Sequence, residues 1–303
     1  MALWNNYVRP VIFECPPRPG APPFVHIISL NVGNAARDLG EYSFDKRLDG
    51  LIEWMKFFHK PYTIFCFQEL RRCKTEDGTV TMELTEILNK ISTALNMVYD
   101  MGANSLLENS MHKATFYDPK EFIRTDCQVL WPSSTRVPSG PEWAQSMLRS
   151  RFICKKGARF DKGHVKEGYM FQIMNCHAPS VAMERHMYCG WILRNQPGTN
   201  TLLVGDFNTY DDIDGATQIA QMSSKWIHLS KHITKTFFSF PHDVDENKKR
   251  YHGVLDHVFL ARNFSIDCNS IMISAEPWPM NEQLSDHYPI HLSFTFNKPS
   301  VFM

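Results

Sequence analysis

Residues Leu203-Val204-Gly205-Asp206-Phe207-Asn208 run from an apolar, β-forming stretch straight into Gly-Asp-x-Asn. The apolar part reads as a buried strand, and the glycine lets the backbone turn closely against a ligand. Asp206 and Asn208 stand two apart, so in extended geometry they share a face. The acid suits proton transfer or cation binding, and the amide suits hydrogen-bond donation. A strand closing in an Asx turn would show the same letters, and the segment alone leaves both readings open.

Working outward, the same layout recurs. The apolar run 25–30 reads as a strand ending at Asn31, and the run 63–67 delivers Gln68 and Glu69 at its C-terminal end. Met174-Asn175-Cys176-His177-Ala178-Pro179 brings an imidazole to the end of another strand. In Val254-Leu255-Asp256-His257-Val258-Phe259-Leu260 a carboxylate sits inside a strongly apolar strand. A buried acid without a partner is costly, so Asp256 needs one, and an imidazole held in one tautomer is the natural choice. Leu284-Ser285-Asp286-His287-Tyr288-Pro289-Ile290 places an acid and an imidazole side by side just before a closing strand. Strand ends hold the backbone firmly while leaving side chains accessible in a cleft. Core packing does not call for so many acids, amides and imidazoles at strand ends.

Between these segments lie two clear helical patterns. Phe44, Leu48, Leu51, Ile52, Met55 and Phe58 share one face, with Pro61 marking the end; Leu84, Ile87, Leu88, Ile91, Leu95 and Val98 share another. Further strands are predicted at 114–117, 151–154, 169–176, 201–204, 255–260, 270–274 and 290–296, and further helices near 183–194 and 213–222. There is no internal repeat and no composition break. The expectation is one α/β domain over 24–298, after a proline-rich lead-in (1–23) and before a short tail (299–303).

Composition bounds the function. Of 303 residues, 43% are hydrophobic and 21% charged, ordinary values for a soluble globular chain. The zero net charge argues against a protein held on long duplex nucleic acid by charge alone, but an active site needs only local positive charge and a metal. None of the eight cysteines forms a C-x-x-C pair, so a zinc ribbon is not expected and buried reduced thiols are. No secretory signal is evident, and no apolar run reaches the ~20 residues of a membrane helix. A soluble protein of the cytoplasm or nucleus is expected.

Taken in order, S-x-N at Asn31, Q-E at Glu69, N-x-H-x-P at His177, G-D-F-N at Asp206 and Asn208, L-D-H-V-F at Asp256 and S-D-H-x-P-I at Asp286 and His287 resemble the endonuclease/exonuclease/phosphatase superfamily, from about Phe24 to Phe296. The resemblance implies a four-layer α/β/β/α sandwich: two mixed β-sheets packed face to face, helices outside, and the active site at one edge of the sheets. It implies Glu69 as principal ligand of Mg²⁺ or Mn²⁺, with Asn31 and Asp286 near the same metal. Asp206 looks like the carboxylate that orients or deprotonates the attacking water, and Asn208 like an amide donor to the phosphate. His287 resembles the imidazole on the scissile phosphate, with Asp256 as its orienting acid. His177 matches a second histidine found in the deoxyribonuclease I-like and deadenylase-like branches, where abasic-site endonucleases typically carry a tyrosine.

The substrate is less legible. Arg71, two residues past Glu69, resembles a phosphate-contacting arginine of deoxyribonuclease I-type nucleases, or is a solvated surface charge. The Pro-x-Trp-x-Asp-Arg segment of inositol polyphosphate 5-phosphatases is missing before Asp256. Basic groups at Arg71-Arg72-Cys73-Lys74, Lys155-Lys156 and Lys248-Lys249-Arg250 would supply phosphate contacts if they line the cleft. Lys113 is placed on a loop pointing toward it. The expected activity is a metal-dependent nuclease with DNA or RNA as substrate. The alternative is a phosphodiesterase or phosphatase on a smaller phosphoester: a phospholipid head group, a nucleotide or a protein–nucleic acid linkage.

Overall fold

Seven consecutive residues, Val25–Asn31, form β1 and are buried along their whole length. A strand buried at every position is one covered on both faces. Ile28 and Leu30 face one core while Val25 and Ile27 face another. The computed structural model describes residues 23–33, 44–74, 78–103, 111–132, 145–161, 164–195, 200–209, 213–238, 252–264, 266–267, 270–275, 278, 283–297 and 300–301. Most of the proline-rich lead-in, Cys15, Cys268 and the Lys248-Lys249-Arg250 group lie outside the described residues.

After β1 come α1 (Phe44–Phe58), β2 (Thr63–Leu70), β3 (Cys73–Lys74), β4 (Val80–Met82), α2 (Leu84–Leu95), β5 (Val98–Ala103), β6 (His112–Tyr117) and β7 (Phe122–Leu130). The long strands β8 (Met147–Asp161) and β9 (His164–His177) lead into α3 (Ala182–Arg194), β10 (Thr201–Asp206), α4 (Ile213–Lys225) and β11 (Trp226–His228). Then follow β12 (Phe237–Phe238), β13 (His252–Gly253), β14 (Asp256–Ala261), β15 (Met272–Ala275), β16 (Ile290–Phe294) and β17 (Ser300–Val301).

Two large sheets result. The first has the order β15-β16-β1-β2-β6-β5 and the second β11-β14-β10-β9-β8-β7, with β17 paired to β9. Both are mixed: β1 is parallel to β2 and antiparallel to β16, while β10 is parallel to β9 and antiparallel to β14. Three apolar cores define four layers. One core joins α1 and α2 to the outer face of the first sheet. The second lies between the sheets and is rich in Phe122, Phe152, Phe171, Phe294 and Phe296. The third joins α3 and α4 to the outer face of the second sheet. This is the α/β/β/α sandwich expected from the sequence.

Some elements depart from the sequence reading. The second helix stops at Leu95 rather than Val98, because Asn96 takes the left-handed conformation (φ 53°) and its N–H turns back to Ser92 and Thr93. Asparagine tolerates that cap, and β-branched Val98 then opens β5. β5 and β7 have no clean apolar run, since they carry Asp100, Arg124 and Asp126. Their strand character comes from pairing with β6 and β8. Lys113 is not on a loop; it lies within β6 and is fully buried. The described cysteines 66, 73, 127, 154, 176 and 189 are all free, and all but Cys127 are buried. Among the described residues no helix is long and apolar enough to cross a membrane.

Candidate active site

Strand register places the polar groups. In the second sheet, Asp206 pairs with His177 on β9 and with Asp256 on β14, so the three form a row across neighbouring strands. Gly205 makes this row possible. Its φ of +137° is open to glycine, and a Cβ there would run into the Cys176 carbonyl of β9. In the first sheet, Asn31 ends β1 opposite Gln68. Glu69 is then turned by a bulge: Phe67 pairs with Ala114 but Leu70 pairs with His112, so Gln68 and Glu69 oppose the single residue Lys113. Glu69 has a left-handed backbone (φ 60°), a strained state for a non-glycine residue that re-aims its side chain.

The rows meet at the seam between the sheets. Asn31 Nδ2 donates to Glu69 Oε1 at 3.0 Å and to Asp206 Oδ2 at 2.9 Å. His177 Nε2 lies 3.4 Å from Glu69 Oε1 and 3.6 Å from Asp206 Oδ2. His287 Nδ1 is 2.7 Å from Asp256 Oδ2, and its Nε2 lies 3.9 Å from Asp206 Oδ2. Asp256 thus has the imidazole partner that its burial demanded. Thr236 Oγ1 accepts the Leu255 and Asp256 N–H groups, and its carbonyl accepts the Tyr288 N–H, so one threonine spans both partners' segments. The His287 ring packs edge-on against Phe237, and its carbonyl accepts from Trp278 Nε1.

Asn208 closes the strand in the Asx turn that Gly-Asp-x-Asn allowed. Its N–H donates to Asp206 Oδ1 at 2.6 Å, an Asx turn, and its φ of 49° is left-handed. Its Nδ2 donates to the Ala178 carbonyl, using one of two amide hydrogens. Asp286 is half-buried against Gly33, where a Cβ would run into Asp286 Oδ1. Arg71 follows β2 directly and is half-buried; its Nε has no hydrogen-bond partner among the described residues. Lys155 is exposed, with Nζ on the Pro119 carbonyl, and Lys156 is half-buried.

Burial and charge set the protonation states. Burial pushes the Asp206 carboxyl up to about 7, reinforced by Asp256 and Glu69 and opposed by His287 and the Asn208 N–H. Burial alone would lower His287, but Asp256, Asp206 and Asp286 carry it well above the usual imidazole range. Burial lowers His177 to about 3, helped by the charges of Lys113 and His287, so it is neutral at pH 7. Asp286 is raised by burial and Glu69, and eased down by His287 and Arg47.

Ligand atoms of Glu69, His177 and Asp206 lie within 4.8 Å of one another. Two carboxylates converging on one amide hydrogen donor form a concentration of negative charge that a divalent cation would offset. The donor set therefore fits such an ion. Of the residues expected around it, Glu69 belongs to this group. Asn31 presents its N–H side to the carboxylates and uses Oδ1 to accept the Gly33 N–H at 3.0 Å. Asp286 is close enough to Glu69 for their charges to oppose each other.

The supporting roles of several residues escaped the sequence reading. Gln68 Nε2 donates to Asn175 Oδ1 at 2.8 Å, and Asn175 Nδ2 donates to the Phe67 and Ala114 carbonyls, stitching the sheets together beneath the site. Ser285 Oγ donates to the Asn31 carbonyl. Arg47 sits on α1 beside Phe44 and Leu48, and a charge inside an apolar helical stripe was the signal available for it.

No protein-family model and no curated protein matches the chain. Solved structures do. One is an endonuclease/exonuclease/phosphatase from Bacteroides vulgatus, 14% identical at a TM-score of 0.64, covering 91% of this chain and 100% of that one. The fold is the endonuclease/exonuclease/phosphatase fold. Within it, TDP2 of D. rerio, complexed with a single-strand DNA product, is 14% identical at a TM-score of 0.58 over 90% of this chain and 99% of that one. A mannosyl-6-phosphatase of Bacteroides thetaiotaomicron is 17% identical at a TM-score of 0.56 over 90% and 100%. Proteins of this fold thus differ in what they act on.

Proposed function

We propose that the chain is a Mg²⁺- or Mn²⁺-dependent phosphodiesterase, a nuclease hydrolysing DNA or RNA, with residues 24–298 as its catalytic domain. The observation that carries this reading is the meeting of Glu69 and Asp206 with the Asp256–His287 pair and His177 at one seam. Phosphodiester hydrolysis needs an oriented water, relief of charge on the phosphoryl oxygens and a proton for the leaving oxygen.

Glu69, with Asp286 close by, would hold the cation, since carboxylate oxygens suit Mg²⁺ or Mn²⁺ better than Zn²⁺. When bound, the cation supplies charge neutralisation at the phosphate and lowers the pKa of water. Asp206 takes up the proton of the attacking water, in keeping with its raised pKa. His287, held as imidazolium by Asp256, donates through Nε2 to the phosphate and gives that proton to the leaving oxygen as its bond to phosphorus breaks. Neutral His177 and the second amide hydrogen of Asn208 orient the phosphate from the other side. Arg71 and its basic neighbours Arg72 and Lys74 contact the polymer's next phosphates.

The second reading, a smaller phosphoester, is favoured by the zero net charge and by the mannosyl-6-phosphatase that shares the fold. The test incubates the protein with single- and double-stranded DNA, RNA and a sugar phosphate, with Mg²⁺ or EDTA, beside Asp206→Ala. Metal-dependent cleavage of a nucleic acid, lost in Asp206→Ala, is expected. Turnover of the sugar phosphate alone would replace the nuclease by the smaller-substrate reading.

A further inference from the structure

Arg47 is only 5% exposed, inside the core between α1 and the first sheet. Its guanidinium donates to the Val32 carbonyl at 2.9 Å, to the Gly33 carbonyl at 3.0 Å and to the Leu284 carbonyl. Val32 and Gly33 directly follow Asn31, and Leu284 precedes Ser285-Asp286-His287. One planar cation therefore bridges the segment leaving β1 and the segment entering β16. The guanidinium fork fixes the relative positions of several acceptors, which a point charge does not. Burying a charge costs free energy that a leucine at this stripe position would avoid, so helix packing alone does not call for arginine.

Its anchor points bear directly on the site. Asn31 Nδ2 spans Glu69 and Asp206, and Asp286 Oδ1 lies against Gly33. A shift of either segment moves an amide or a carboxylate relative to the other. Ser285 is a second, weaker stitch: its Oγ donates to the Asn31 carbonyl at 2.6 Å and accepts the His287 N–H at 3.1 Å.

The geometry points to Arg47 as a positioning residue that holds the Asn31 and Asp286 segments at the spacing the divalent cation requires, and so sets cation affinity. This rests on the metal-dependent reading of the site. It concerns a residue that touches neither substrate nor cation.

The test is Mn²⁺ titration of the full chain, followed by electron paramagnetic resonance, with thermal melting of each protein without metal. Wild type is expected to bind Mn²⁺, and Glu69→Gln to lose that binding. Arg47→Lys keeps the charge but not the fork, and is expected to bind about tenfold more weakly, as residues supporting metal ligands do. Its activity is expected to recover at saturating Mn²⁺, which damage to the fold alone would not allow. Unchanged Mn²⁺ affinity in Arg47→Lys overturns the proposal while leaving the site reading intact. Absence of Glu69-dependent binding in wild type overturns both. Ser285→Ala decides the matter if Arg47→Lys does not fold. With the guanidinium still bridging the two segments, its affinity is expected to fall by well under about tenfold. A tenfold loss there would assign the spacing to Ser285 and refute the role of Arg47.

Discussion

The two ends of β1 and its partner β16 carry two polar clusters of opposite character. At one end, Asn31 and His287 meet Glu69, Asp206 and Asp256, with like charges crowded together in a buried seam. At the other, His26 Nδ1 lies 2.7 Å from Ser293 Oγ and 3.3 Å from His291 Nε2, and Ser293 Oγ lies 3.2 Å from His291 Nε2. Among the described residues, that second cluster holds no acid. Burial, with repulsion from His291 and Lys60, lowers His26 to about 3, and burial with Lys60 lowers His291 to about 4. Both rings are neutral at pH 7. Polar groups satisfied by each other need nothing further, whereas carboxylates forced together are relieved by a cation or a proton. Unresolved charge, rather than polarity, marks the end where chemistry belongs.

The comparison breaks most sharply on Asp206→Asn. The substitution removes the proposed proton acceptor and one of the crowded charges. Initial rates on the best substrate are expected to fall by about 10³-fold or more, while the melting temperature holds or rises. A large loss of stability with activity kept would invert the assignment of the two ends.

Asp256→Asn is next. His287 loses the carboxylate that raises it, so less of it stays protonated. The rate is expected to drop by about 10²-fold, and the alkaline limb of the pH–rate profile to move to lower pH. An unmoved limb would show that His287 is not the group titrating there.

At the far end, Ser293→Ala leaves imidazole nitrogens short of a partner. A stability loss of about 1–3 kcal/mol by denaturant unfolding is expected, with kcat/KM unchanged. A clear loss of turnover in a well-folded Ser293→Ala protein would mean that this end communicates with the seam.

The same end also carries a pH dependence of stability. His26 and His291 are depressed in the folded state, so below pH 6.5 the unfolded chain binds protons that the folded chain refuses. Their stabilisation is complete above about 6.5 and erodes as pH falls toward 4, by up to about 1.4 kcal/mol per pH unit for each ring. Replacing His291 by asparagine is expected to flatten that slope between pH 6.5 and 4. An unchanged slope would assign acid sensitivity to other buried histidines, such as His228 and His257.

The sequence by itself determined most of the strands and helices, the four-layer class through the ordered motifs, and the strand ends at or near which Asn31, Glu69, His177, Asp206, Asp256 and His287 lie. Those features are local. Apolar periodicity reports burial, and a polar residue closing an apolar run reports a strand end. What only the tertiary structure decided is relational. The bulge that turns Glu69 depends on how β6 pairs with β2, and the row His177–Asp206–Asp256 depends on register between three strands distant in sequence. Which face Asn31 shows to the carboxylates depends on a backbone N–H two residues on, at Gly33. Arg47 and Lys113 are buried cations whose meaning lies in what surrounds them, and a sequence names charges without saying which will be removed from water. Electrostatic energy depends on distance and burial together, and both are properties of the assembled sheets.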